Sequence, residues 1–382
     1  MPPHLDSGDP SVRAEIAVGV SAECDDAIAT SGLIDRKALL IIITFNSREA
    51  LPDIVCTIRE FEEDHVGNHV IVVENSSDTH IRDVIESALN SDRILVSISQ
   101  SNEGFSCGVN FAYRQAQELW GDFDLVVLLN PDVRSAGRTV CELVNRASAQ
   151  SEAGTGIWSP VLKDEFGQLD NGCARRVWNR RRFFSHLVGY PNLTRALLCA
   201  PRRLTEREIA YDQSELAMVS GAFVCIKADV LGHGLDTLLP MYLEDQEICL
   251  RCLSRGYSVR LYPDLQAVHI GGASRKSMSG DEHALRIMEL IEAPVQCMVR
   301  LQGYKVMELR LVVLMGGVAR LLAVPLVAAV NTLRGSNIRG EFAWMGKQLR
   351  LASWFALWAI KGKLHSTDVS LADYFEEYRH IA

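Results

Sequence analysis

The chain has 382 residues, 48% hydrophobic and 23% charged, which is globular composition with ample apolar material for a core. That length admits two domains, and the composition excludes collagen-like, low-complexity and wholly disordered chains. The formal charge is −9; a protein gripping nucleic acid through its phosphates is normally basic, so that partner class is set aside.

Residues 1–36 are polar and aperiodic and read as a flexible tail. They lack a basic start followed by an apolar run, so no signal peptide is expected. At Lys37 the pattern changes. Residues 39–43 (Leu-Leu-Ile-Ile-Ile) form a short apolar run rich in β-branched side chains, as a strand covered on both faces reads. A helical stretch over 50–61, a second buried strand over 70–73, a helix over 80–89 and a strand over 94–98 follow. The loop 101–104 then leads into a helix over 108–119 and a strand over 125–129. This βαβα alternation predicts an open, mostly parallel central sheet flanked by helices. Its polar clusters fall just after strands, at the carboxyl ends where such sheets bind ligands.

Residues 158–217 read as irregular and arginine-rich, with Arg175, Arg176, Arg180, Arg181, Arg182, Arg202 and Arg203. A strand-like run over 218–226 is interrupted by Ser220-Gly221. A helix opens at Glu244-Asp245 and runs to about residue 255, a strand covers 257–261, and His269-Ile270-Gly271-Gly272 closes a domain set at 37–275. Residues 276–382 read as helical. Between Arg300 and Lys363 there are ten Lys/Arg against only Glu308 and Glu341. Residues 309–330 are nearly all apolar and reach the roughly 20 needed to span a bilayer. Arg320 near their middle would cost about 2.5–3.5 kcal/mol on insertion scales. Residues 351–360, with Trp354, Phe355 and Trp358, are too short to span and look interfacial. The expectation is attachment to an anionic membrane surface, with ordinary packing onto the first domain as the alternative.

The ten cysteines lie mostly in apolar segments. Cys249 and Cys252 have CxxC spacing, but on a helix-like run and without a second pair at zinc spacing. They read as buried small hydrophobes in a reducing compartment.

Five polar clusters carry candidate chemistry. Glu74, directly after a buried strand, can accept from a base imide or a ribose hydroxyl, or simply close a turn. Asn102 and Gly104, with Gly108 behind them, precede a helix and permit close backbone approach to a nucleotide. No GxGxxG or Walker loop is present. Asn130-Pro131-Asp132 puts a carboxylate at a strand tip, where it can hold a divalent ion on a diphosphate or serve as a turn. Glu244-Asp245 can be helix-dipole partners or supply a general base, because a like-charged neighbour raises one carboxyl's pKa. His269 is structural or a neutral imidazole ligand beside Asp132.

The order of these clusters resembles the inverting glycosyltransferases of family 2, with the GT-A nucleotide-sugar-binding fold, and within them bacterial rhamnosyltransferases and galactofuranosyltransferases. The likeness covers about residues 38–274. It rests on Ile43-Thr44-Phe45-Asn46, Val73-Glu74-Asn75-Ser76-Ser77, Asn102-Glu103-Gly104-Phe105-Ser106, Leu128-Leu129-Asn130-Pro131-Asp132, Val219-Ser220-Gly221-Ala222-Phe223, Tyr242-Leu243-Glu244-Asp245 and Val268-His269. The resemblance implies that Thr44 and Asn46 line the nucleotide pocket and that Glu74 stands where the family usually has an Asp. It implies that Asn130 and Asp132 form the metal-binding motif, in a form lacking the first carboxylate, with His269 completing the Mg2+ or Mn2+ site. Ser220 and Gly221 then lie beside the sugar, and Asp245, with Glu244 next to it, is the catalytic base. The implied donor is a dTDP- or UDP-sugar and the implied acceptor a glycan or polyprenyl-diphosphate-linked sugar at the inner membrane face, where the basic arginine clusters of the middle segment would meet its diphosphate. The competing readings are a sugar nucleotidyltransferase, which should show an early glycine-rich loop absent after residue 43, and a membrane-attached scaffold with a degenerate transferase domain.

Overall fold

The computed structural model describes residues 36–76, 78–99, 102–134, 136–150, 154–190, 203–239, 243–271, 287–333 and 338–362. The expected N-terminal tail up to residue 35, Ser77, Arg202, Tyr242 and the 275/276 boundary lie outside these. The first half alternates as read: β1 (Ala38–Thr44), α1 (Leu51–Asp64), β2 (Asn68–Glu74), α2 (Thr79–Ala88), β3 (Ile94–Ile98), α3 (Phe105–Trp120) and β4 (Leu125–Leu129). Then come β5 (Val133–Arg134), α4 (Gly137–Gln150), β6 (Thr155–Lys163), β7 (Ala174–Arg175), α5 (Arg180–Val188) and α6 (Glu206–Tyr211). They are followed by β8 (Met218–Val219), β9 (Phe223–Lys227), α7 (Ala228–Leu231), α8 (Glu244–Ser254) and β10 (Ser258–His269). The C-terminal part holds α9 (Ala293–Gln302), α10 (Val306–Leu333) and α11 (Ile338–Lys361).

Eight strands form one sheet in the order β3-β2-β1-β4-β9-β6-β10-β5. β3, β2, β1 and β4 run parallel, β9 is antiparallel to both its neighbours, and β6 and β10 are again parallel. Every residue of β1 and β4 is buried, as required of strands covered on both faces. The carboxyl ends of β1, β2 and β4 therefore open side by side at one edge of the core.

The middle segment is less irregular than its composition suggests. β6 is an interior strand, hidden from sequence reading by Gly156, Ser159 and Pro160. Pro160 has no N–H to give the ladder, and the register with β10 slips just there, between Tyr262 and Gln266. The same slip lets β10 run on to His269 instead of ending near residue 261.

The C-terminal helices close around a second apolar cluster. Trp178, Phe183 and Leu187 from the α5 region meet Leu309 and Val313 of α10 and Phe355 and Trp358 of α11. Gly316 and Gly317 mark the crossing point: a Cβ at 316 would stand 2.6 Å from the Leu187 Cβ, and one at 317 would stand 3.2 Å from the Phe355 Cβ. Arg320 is buried there, its Nε donating to the Val188 carbonyl at 3.2 Å and its Nη1 to Gln348 Oε1 at 3.2 Å. The opposite side of α10 exposes Met307, Leu311, Met315, Leu322 and Leu326. Gly316→Ala must push α10 off α5, and an overpacking cost of about 1–3 kcal/mol is expected. Denaturant unfolding of the variant checks it, and an unchanged midpoint would show that this crossing is not tight.

Candidate active site

At the ends of β1 and β2, paired at Thr44↔Glu74, the Thr44 hydroxyl donates to Glu74 Oε2 at 2.6 Å. The Ser76 N–H donates to Glu74 Oε1 at 2.6 Å, and the Ser76 hydroxyl donates to the same oxygen. Glu74 is completely enclosed. Its carboxylate ties the two strand ends together and fixes the rim of the pocket, with one of its roughly four lone-pair sites left over. Asn46 turns the chain away with φ 52°, its N–H directed at the Ser76 hydroxyl. Asn102 Oδ1 accepts from the Gly104 N–H at 3.1 Å, and Gly104, at φ 99°, opens α3. Gly108 brings α3 against this rim, because a Cβ there would meet Asn75 and Ile43 at 3.2–3.3 Å.

Next along the sheet, Asn130 follows β4 and donates its N–H to the Ala222 carbonyl at 2.8 Å. Its side-chain Oδ1 is buried without a partner. His269, paired with Val133 in the β10–β5 ladder, is thereby set beside Asp132. His269 Nε2 lies 3.4 Å from Asp132 Oδ1, and Nδ1 lies 3.4 Å from Asp170 Oδ2. Burial alone would lower the His269 pKa, but Asp132 and Asp170 on either side outweigh it and hold the imidazole up at about 9. Asp170 is itself held below the usual carboxylate range: burial opposes ionisation, and His269 and the Gly172 N–H, which donates at 2.6 Å, overcome it.

This donor set fits a divalent cation. Neighbouring ligands of an octahedral ion at about 2.0–2.1 Å stand about 3 Å apart, close to the Asp132–His269 spacing. The orphaned Asn130 oxygen adds a hard donor nearby. Among the described residues no three His, Cys, Asp or Glu side chains form a closed cage. The reason is that Asp170 takes the far nitrogen of His269, where it orients the ring in the manner of a carboxylate behind a metal-bound histidine. Asp170 was missed in the sequence because it lies in the stretch read as irregular; the turn-forming Asp170-Asn171-Gly172 was its only signal.

The third part is the start of α8. Leu243 adopts φ 63°, a strained value for a branched residue, and is held there by packing with Leu239, Ala293 and Cys297. That turn places Glu244 and Asp245 in the first helical turn, where the dipole favours negative charge. Asp245 Oδ1 accepts from the Gln246 N–H at 2.7 Å, and Oδ2 faces the Gly221 N–H at 3.4 Å. Gly221 approaches so closely that a Cβ would lie 3.2 Å from the Asp245 Cβ. Glu244 Oε2 is enclosed without a hydrogen-bond partner. Burial, then the Asp245 charge, pushes the Glu244 carboxyl up to about 8.

The second and third parts form one continuous chain of contacts. Asp245 touches Gly221, and the adjacent Ser220 hydroxyl crowds Gly172. The Gly172 N–H holds Asp170, Asp170 faces His269, and His269 faces Asp132. Asn130 closes the loop from the other side through Ala222.

A mannosyltransferase from Pyrobaculum calidifontis, PcManGT, solved in complex with GDP-Man and Mn2+, is similar in structure at 15% sequence identity and TM-score 0.50, over 85% of this chain and 88% of that one. TarS 1–349 from S. aureus matches at 13% identity and TM-score 0.43, over 91% of this chain and 92% of that one. Glucosyl-3-phosphoglycerate synthase from Mycobacterium tuberculosis matches at 12% identity and TM-score 0.42, over 70% and 80%. No curated protein matches the chain in sequence. The first likeness supports the GT-A fold. The family described as "Glycosyltransferase like family 2" matches residues 36–282, well over half of the sequence, and the chain belongs to it.

Proposed function

We propose that this glycosyltransferase moves a sugar, L-rhamnose in the reading favoured here, from a dTDP- or UDP-linked donor to a hydroxyl of a glycan or lipid-linked acceptor, with inversion, in cell-envelope polysaccharide synthesis at the cytoplasmic membrane face. The observation that carries the transfer reading is the unbroken contact chain from Asp132 to Asp245. The choice of rhamnose rests on the Asn130-Pro131-Asp132 form alone. The exposed apolar side of α10 and the surrounding basic residues support the membrane surface.

In this reading the Thr44–Glu74–Ser76 network and Asn46 shape the nucleoside pocket, and Asn102 and Gly104 line its mouth. Asp132, His269 and the Asn130 side chain hold Mg2+ or Mn2+. When bound, that ion neutralises charge on the departing diphosphate. Ser220 and Gly221 flank the sugar. Asp245 receives the acceptor's hydroxyl proton on its carboxylate, opposite the leaving group. Glu244, its carboxyl pushed up by enclosure, stays protonated beside it and adds no second charge to the reaction centre.

A screen of dTDP-, UDP- and GDP-sugars, with membrane lipid extract as acceptor source, tests the activity; GDP-mannose is included because PcManGT was solved with it. Asp245→Asn should lower turnover by about 10²–10⁴-fold while nucleotide binding persists; wild-type turnover in this variant would remove Asp245 from the role.

Binding of Mn2+, read by its thermal shift with nucleoside diphosphate, should be lost in Asp132→Asn. In Asp170→Asn it should weaken by about 10–100-fold, as when an outer partner of a ligating histidine is removed. Full Mn2+ affinity in both variants would sink the metal assignment.

Glu244 also sets a pH dependence. Its folded-state pKa lies above the unfolded value, so between about pH 4.3 and 8 only the unfolded chain loses this proton. Its contribution to stability is therefore full at low pH and declines by up to about 1.4 kcal/mol per pH unit across that window. Glu244→Gln should gain on wild type in unfolding midpoint as the pH rises from 5 to 8. A constant difference would show that the carboxyl ionises normally.

A further inference from the structure

The middle of the chain is rich in arginine, and the structure divides these side chains into two kinds. Arg176 is buried and donates to Glu208, to Glu215 and, at 2.5 Å, to the Arg203 carbonyl. Arg180 pairs with Glu308, and Arg182 donates to the Val177 carbonyl at 2.8 Å. These serve the fold. Arg175 gives its Nε–H to the Asn171 carbonyl at 3.1 Å, and Arg203 faces it. They sit opposite each other as bridge partners on antiparallel backbone, and among the described residues no carboxylate lies within 4 Å of either. Like charges directly opposite across strands destabilise a sheet. Here the arrangement is enforced: the Leu204 N–H donates to the Ala174 carbonyl at 3.1 Å, and Arg176 grips the Arg203 carbonyl from beneath.

The location of the pair is specific. Arg175 Nη2 and the Ser220 hydroxyl both lie 3.3 Å from the point where a Gly172 Cβ would be, and Ser220 precedes the glycine that touches Asp245. On the other side, Asp170 lies within electrostatic range of both arginines and faces His269, which in turn faces Asp132. In the large sheet the nucleoside rim lies on β1 and β2 and the ion-holding residues at β4 and β10, while Arg175 belongs to the separate two-stranded β7-β8 sheet.

We propose that Arg175 and Arg203 form an anion subsite for a phosphate or diphosphate group carried by the acceptor, on the Asp245 side of the reaction centre. The assignment rests on the transferase reading above. Two guanidinium forks suit the oxygens of such a group. Asp170, shared with His269, is one carboxylate against two guanidiniums, and the group's negative charge offsets the remainder.

Pyrophosphate is titrated into the full chain in EDTA, which removes metal, for wild type, Arg175→Gln, Arg203→Gln and the double variant. Each single change should weaken binding by about tenfold and the double by more. The affinity of UDP or dTDP with Mn2+ should stay within about twofold, less than the tenfold that 1.4 kcal/mol represents. Arg207→Gln, an exposed charge on α6, should change neither. Unchanged pyrophosphate affinity in the double variant overturns the subsite. A parallel fall in nucleoside diphosphate affinity assigns the arginines to the donor and also overturns it, and an equal effect of Arg207→Gln reduces it to general surface charge. If the double variant does not fold, the two single variants carry the test. Phosphatidylcholine vesicles containing a long-chain isoprenyl diphosphate separate the sources. Tighter binding than free pyrophosphate, lost in the arginine variants, supports a lipid-borne group; equal binding supports a soluble one. If pyrophosphate binds but no nucleoside diphosphate does with either metal, the transferase reading fails, and the acceptor assignment with it.

Discussion

His269 stands between two carboxylates, and much of the site follows from that placement. The ring arrives at the end of β10, 137 positions after Asp132 in the sequence, and only the β10–β5 register brings the two together. That register depends on β10 continuing past the slip opposite Pro160. A local irregularity in the sheet thus sets the alignment of a histidine whose two nitrogens face groups from separate loops. Without a cation the arrangement favours the charged imidazolium. With one, Nε2 would have to give up its proton while Asp170 still orients the ring through Nδ1.

The adjacent acids at the start of α8 show how neighbouring groups of one chemistry can be made unequal. Asp245 accepts the Gln246 N–H and faces the Gly221 N–H, so its charge is solvated by backbone. Glu244 directs an oxygen into an enclosed space with no donor. Enclosure therefore keeps the proton on Glu244, and the two side chains diverge because successive residues of a helix point about 100° apart. A like-charged pair was legible in the sequence; which carboxyl would keep the proton was not, because that depends on enclosure and donors supplied by distant segments.

The first half of the fold was readable because doubly covered parallel strands announce themselves as continuous apolar runs. β3 and β4 occupy the residues expected, and β1 and β2 differ only at their ends. β6 was unreadable for the opposite reason: serine, glycine and proline interrupt it, and its burial comes from β9 and β10 on either side. The polar motifs after β1, β2 and β4 were found because strand ends can be located. Asp170 follows the strand that was not found, and so had no frame. The arginines were visible as a cluster, but composition cannot say which of them a carboxylate will claim. Arg175 ends β7 and Arg176 follows it directly, yet Arg176 is turned into the structure and Arg175 toward Ser220.

The same distinction governs the C-terminal helices. Arg320 looked like an expensive charge in a membrane segment; it is a bracket between α5 and α11, lying over the Phe355 ring with 5.4 Å to its centroid. A helix anchored through that face can offer only its other side to lipid, which favours lying on a membrane over crossing it alone. The helix it grips, α5, begins five residues after Arg175. One short stretch of chain therefore joins the proposed acceptor subsite to the support of the apolar surface. An acceptor held by a lipid tail would approach along that stretch, with its phosphate meeting the arginines before its sugar hydroxyl meets Asp245.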